Sequence, residues 1–114
     1  MQMNSLKCYD VIKFVITDRL FSEDGLSLGG VHPKQNAMYL YQSIDLESFP
    51  SCRDFTGEKT LVKDGYFGIV IRKVGRPHCI HQIKDRWELY DVYEVYTHNF
   101  TKRQVFRYNI EKVF

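Results

Sequence analysis

The sequence predicts a β-rich α+β domain with few short helices, and three observations carry that prediction. The aromatic share is 15%, with eight Tyr and eight Phe, and such side chains pack best on a pleated, half-buried surface. Residues 87–113 alternate apolar with polar side chains at the strand period. One segment alone, Ser43-Ile-Asp-Leu-Glu, opens like a helix, with an N-cap serine and acids in its first turn.

The elements follow in order. Residues 7–16 are β-branched and aromatic and read as a first strand. Residues 22–36 hold Gly25, Gly29, Gly30 and Pro33 and read as a loop. Ala37 to Tyr41 is a short apolar strand, and Ser43 opens a one- to two-turn helix that Pro50 ends. The charged stretch 53–65, with Gly57 and Gly65, reads as another loop. Tyr66 to Val74 is the clearest strand, and the near-continuous run Phe67 to Ile71 predicts burial on both faces. In Trp87 to Thr97, the alternation places Tyr90, Val92, Glu94 and Tyr96 on one face and Asp91, Tyr93 and Val95 on the other. Asn99 to Lys102 forms a turn. Residues 103–113 then return as the second arm of a hairpin, with Phe106, Tyr108 and Ile110 inward and Arg107, Asn109 and Glu111 outward.

The bulk numbers narrow the class. A chain of 114 residues without repeats or low-complexity tracts reads as a single domain, 1–114. Its 44% hydrophobic and 26% charged residues are those of a globular protein. A net charge of +2 gives no strong field for a nucleic acid or a membrane surface, so neither is expected as a partner. No apolar run has the length of a membrane-spanning helix, and the first residues lack a signal-peptide core. Cys8, Cys52 and Cys79 are odd in number and lack framework spacing, which points to a reducing compartment.

Four motifs in order carry a resemblance. They are Asn36-Ala-Met-Tyr39-Leu, the Ser43 to Cys52 segment, Gly68-Ile-Val-Ile-Arg-Lys-Val-Gly75, and Tyr93-Glu94-Val-Tyr leading to Gln104-Val-Phe-Arg-Tyr108-Asn-Ile110. Over residues 36–110 this order resembles the catalytic core of poly(ADP-ribose) polymerase-like (PARP-like) ADP-ribosyltransferases. Within that superfamily the resemblance is to the TASOR-type pseudo-PARP domain of gene-silencing scaffolds, through Leu28-Gly29, Asp45, Gly65-Tyr66, Lys73-Val74 and Tyr90-Asp-Val-Tyr-Glu94. The resemblance implies a split-sheet ADP-ribosyltransferase-like fold whose upstream portion is shortened here.

It also implies where chemistry would sit. The family stacks nicotinamide on a tyrosine, here Tyr39. It stabilises an oxocarbenium-like transition state with a glutamate, here Glu94, whose charge must lie close to the developing cation. The histidine that anchors NAD would fall near Val11 to Lys13, where no side chain can replace its hydrogen bonds, and apolar residues would leave ribose hydroxyls unpaired. Tyr39 and Glu94 are therefore read as vestigial, with no catalytic residue, cofactor or metal expected. The implied role is a silent module that binds protein partners in nuclear transcriptional or transposon silencing. The alternative is an active mono-ADP-ribosyltransferase that uses NAD, with Glu94 catalytic.

Other constellations weigh less. His78-Cys79-x-His81 offers zinc-ligand types but not four ligands at a standard spacing, and Cys79 lacks an oriented base. Arg72, Lys73, Arg76 and His78 beside Tyr66 and Phe67 could stack RNA bases. That reading is set aside because the aromatics belong to a run expected to be buried.

Overall fold

The computed structural model describes residues 6–16, 31–32, 37–47, 55–77 and 87–113. Eight strands form one connected sheet: β1 (Val11–Phe14), β2 (Val31–His32), β3 (Ala37–Ile44), β4 (Phe55–Lys63), β5 (Phe67–Gly75), β6 (Val92–Tyr96), β7 (Lys102–Phe106) and β8 (Ile110–Lys112). The order is β2-β3-β7-β6-β5-β1-β8, with β4 also paired to β3. Every pairing is antiparallel. Two short 3₁₀ turns, Trp87–Tyr90 and Arg107–Asn109, are the only helical pieces among the described residues.

This architecture corrects the predicted fold class. The sheet is continuous rather than split, and no α-helix follows the tyrosine strand among the described residues. An α+β PARP-like fold with short helices is not what the chain adopts. The predicted helix fails at its start, because Ser43 and Ile44 are still in β3, opposite Thr56 and Phe55. Ile44 is buried, and its backbone N–H is taken by the Gln104 side chain. Tertiary pairing thus overrides a local cap signal worth about 1 kcal/mol. The rest of that predicted helix, from residue 48 on, lies outside the described residues.

The predicted loop 53–65 is instead the nine-residue strand β4. Its charge disguised it, since Glu58, Lys59 and Lys63 are exposed while Thr60 and Val62 point into the core. Among the described strands β4 pairs only with β3, and charged side chains on an edge strand discourage pairing with other chains. Gly57, at φ 85°, sits where the β3–β4 register shifts between Tyr41 and Ser43. A Cβ there would lie 2.6 Å from Gln42 Cβ.

One face of the sheet encloses the main core. Ile12 and Phe14 of β1, Met38 and Leu40 of β3, Val62 of β4, Val70 of β5, Tyr93 and Val95 of β6, Val105 of β7 and Ile110 of β8 form a single buried cluster. Residues from β4 at one end of the sheet to β8 at the other contribute to this cluster, so the core runs across the whole width of the sheet. Each such side chain contributes roughly 1.5–3 kcal/mol by leaving water.

Among the described residues, the outer face is covered at one end only, by a second cluster of Ile44, Leu89, Tyr90, Val92, Phe106 and Tyr108. Here Phe106 and Tyr108 stack with centroids 5.5 Å apart, and Tyr90 meets both edge-on. The predicted hairpin arm 103–113 is broken at this place. The turn Arg107–Asn109 re-aims the chain so that β8 pairs with β1 rather than extending β7. Arg107 and Asn109, expected on an exposed surface, are buried. Arg107 donates to the Ile110 carbonyl and Asn109 donates to the Val15 carbonyl at 2.9 Å. Burial lowers the Arg107 pKa from its ordinary value, partly offset by the nearby Glu111 carboxylate.

Candidate functional site

The uncovered end of the outer face is built by strict alternation. In β5 the burial pattern puts Gly68 and Val70 inward and Phe67 and Ile69 outward. Register places Val11 of β1 beside Ile69 on one side and Tyr96 of β6 on the other. These residues, with Tyr66, His98 and Phe100, line an open apolar depression of about 630 Å³. Phe67 is 59% exposed, Ile69 40% and Phe100 85%. Tyr66 and His98 meet edge-on, with centroids 4.8 Å apart.

Phe67 to Ile71 was expected to be buried on both faces, and the structure corrects this. Gly68 carries the inward position because a Cβ there would lie 2.7 Å from the Tyr96 carbonyl and 3.0 Å from the Phe14 ring. The core reaches to the backbone of β5, and the large residues are left on the other side. Alternation of Gly68 and Val70 against Phe67 and Ile69 is the sequence signal that marks this face.

Two exposed aromatic residues adopt an unusual backbone. Tyr9 (φ 71°) and Phe100 (φ 61°) are the non-glycine residues of positive φ among those described. The left-handed region costs an L-residue roughly 1–2 kcal/mol, and bulky residues rarely occupy it. Phe100 closes the three-residue loop between Thr97 and Thr101, whose backbones bond at 3.0 Å, a position where hairpins of this length favour glycine. Tyr9 lies in the turn closed by the Asp10 N–H on the Lys7 carbonyl, and its own N–H bonds Val70 of β5. Tyr9 is 79% exposed.

Charges flank the depression in pairs. Lys13 lies 3.4 Å from Glu111 on the β8 side, and Arg72 lies 3.4 Å from Glu94 on the β6 side. Farther along, buried Asp91 takes Arg76 at 2.7 Å and Lys73 at 3.1 Å. The hydrogen bond that Arg76 donates to the Asp91 carboxylate raises the Arg76 pKa above its ordinary value. Three cations of the cluster weighed for RNA are therefore matched to acids, while its two aromatics are exposed rather than buried. His78, the fourth member, lies outside the described residues.

The residues expected to be vestigial are placed apart from the depression. Register puts Tyr41 opposite Gln104 and Gln104 opposite Glu94, so Tyr39 and Glu94 share the outer face with β7 between them. That spacing is on the order of 12 Å between Cα atoms. The Lys59 ammonium lies 4.4 Å from the Tyr39 ring centroid, and Glu94 is held by Arg72. Neither lines the depression. Of the segment where the family's histidine would fall, Val11 lines the depression, Ile12 is in the core, and Lys13 pairs with Glu111.

Among the described residues, no three His, Cys, Asp or Glu side chains gather as a metal site. The His78-Cys79-x-His81 set, Cys52, and Gly25, Gly29 and Gly30 lie outside those residues. Cys8 is exposed and unbridged. No helix among the described residues is long and apolar enough to cross a membrane. Compared with protein-family models, curated proteins and solved structures, the chain matches none.

Proposed function

We propose that this chain is a binding module that engages a protein partner through the open apolar end of its outer sheet face. The observation that carries this reading is the exposure of Phe67, Ile69 and Phe100 around one depression. An apolar patch of this kind on an otherwise polar surface marks interaction sites. Binding rather than NAD chemistry is favoured because Glu94 is already engaged by Arg72 and stands outside the depression. The nuclear-silencing context rested on a PARP-like fold that the chain does not adopt, and the proposal leaves it aside.

The test is saturable binding of 8-anilinonaphthalene-1-sulfonate to the folded chain in dilute solution. Phe67→Asp is expected to weaken it at least tenfold. Leu61→Ser, at an exposed apolar position on β4 outside the depression, is expected to leave it unchanged. Binding that survives Phe67→Asp removes the reading.

A further inference from the structure

Strand β8 ends the sheet order, with β1 on one side and no described strand on the other. An open edge presents unpaired backbone groups to any extended chain. The hydrogen bonds identify which groups these are. Val15 N–H bonds the Asn109 carbonyl, and Val113 N–H bonds the Val11 carbonyl. The odd-numbered residues of this stretch therefore turn their backbone toward β1. Phe14, opposite Ile110, spends its own N–H and C=O on Tyr66 and Gly65 at the β5 side. Ile110 and Phe14 are thus a non-hydrogen-bonded pair, and successive residues of an antiparallel strand bond on opposite sides. Ile110 and Lys112 aim their N–H and C=O groups out of the sheet.

Ile110 has neither group left to offer. Its N–H bonds the Arg107 carbonyl, and its carbonyl accepts from Nη1 of the Arg107 guanidinium. One residue, three positions earlier, takes both. That side chain is buried, and its Nε has no hydrogen-bond partner. Among the described residues it has no carboxylate within ion-pair distance. Burying a charge without a counter-ion is costly, so the bond to the edge carbonyl is what the buried guanidinium supplies. With Ile110 closed, Lys112 is the single residue of β8 with outward groups free to pair. An added antiparallel strand needs at least two alternate residues to hold it.

We propose that Arg107 is a latch on the β8 edge, which blocks addition of a strand from another chain as long as its guanidinium holds the Ile110 carbonyl. Arg107 lies outside the lining of the apolar depression, so the latch is independent of the binding-module reading.

Sedimentation velocity over a concentration series tests it on the 114-residue chain, on Arg107→Met and on the double variant Arg107→Met/Lys112→Pro. Circular dichroism and thioflavin T fluorescence accompany each. Methionine keeps the apolar stem and removes the donor. Proline removes the outward N–H of residue 112 and is tolerated on an edge strand. Arg107→Met is expected to keep the wild-type dichroism spectrum and to reach at least twice the wild-type mass at equal concentration, with a rise in thioflavin T signal. The double variant is expected to return to the wild-type mass. Arg107→Met that keeps both the wild-type spectrum and the wild-type mass overturns the latch. Equal association of the two variants also overturns it, because the contact then does not run through the edge. Where Arg107→Met loses the native spectrum, its recovery in the double variant supports the latch. A double variant that also stays unfolded overturns it, since Arg107 then holds the fold rather than its edge.

Discussion

The Gln104 side chain accepts the backbone N–H of Ile44 at 2.8 Å in a buried setting. Register pairs β3 with β7 at Tyr41 and Gln104, and this bond extends the attachment to the end of β3, where the register with β4 has shifted. Gln104→Leu removes the acceptor and leaves a buried N–H unsatisfied. The expected loss is about 1–3 kcal/mol, read as a lower urea midpoint, with faster hydrogen exchange at the Ile44 amide than at Val95.

Asp91 tests a different kind of buried polar group. It is buried, and it serves Arg76 through two contacts, at 2.7 and 3.3 Å, as well as Lys73. Its cations are partly exposed and can rehydrate, so Asp91→Asn should lower stability by about 1–3 kcal/mol rather than by the full cost of an orphaned buried charge. Lys73→Met, which leaves the Arg76 contacts in place, should change the urea midpoint by less than about 0.5 kcal/mol equivalent.

Gly68 and Gly65 separate close packing from backbone freedom. Gly68→Ala drives a methyl group against the Tyr96 carbonyl and the Phe14 ring, and overpacking of this kind costs about 1–3 kcal/mol. Gly65→Ala meets nothing within 4 Å but keeps φ 85°, so only the left-handed penalty of roughly 1–2 kcal/mol applies. Thermal unfolding should show both variants destabilised. Near-ultraviolet dichroism should change only for Gly68→Ala, because that position alone touches the aromatic core.

Glu94→Gln breaks the pair with Arg72, whose side chain is more than half exposed. Exposed pairs contribute about 0–1 kcal/mol, so the midpoint should fall by no more than that. Isothermal titration of the wild-type chain with NAD is expected to give no binding heat, and Glu94→Gln to give the same trace. Heat that Glu94→Gln abolishes would return the transferase alternative.

Much of the strand content was legible locally. The alternation of Val92 to Tyr96 fixes which side chains share a face, and the structure keeps it: Tyr93 and Val95 enter the main core while Glu94 and Tyr96 face out. β4 was not legible, because an edge strand carries the polar composition of a loop. The face built on Phe67 and Ile69 was missed because a continuous apolar run looks the same whether one or both of its sides are covered. The split-sheet fold implied by the resemblance to ADP-ribosyltransferases is overturned for a related reason. Tyr-Val strands in sequence order are shared by many sheets, and order along the chain does not set order in the sheet.

By itself the sequence determined a β-rich domain, its best strands, and the pairing of side chains by face within β6, since these follow from a two-residue period that needs no partner. Only the tertiary structure decided that Ser43 and Ile44 extend a strand, that Arg107 and Asn109 are buried, and that β8 turns away to join β1. It also decided which face of β5 meets Phe14 and which is left to solvent. Those outcomes depend on what lies across the sheet, and contacts between residues distant in sequence outweigh local preferences of about 1 kcal/mol.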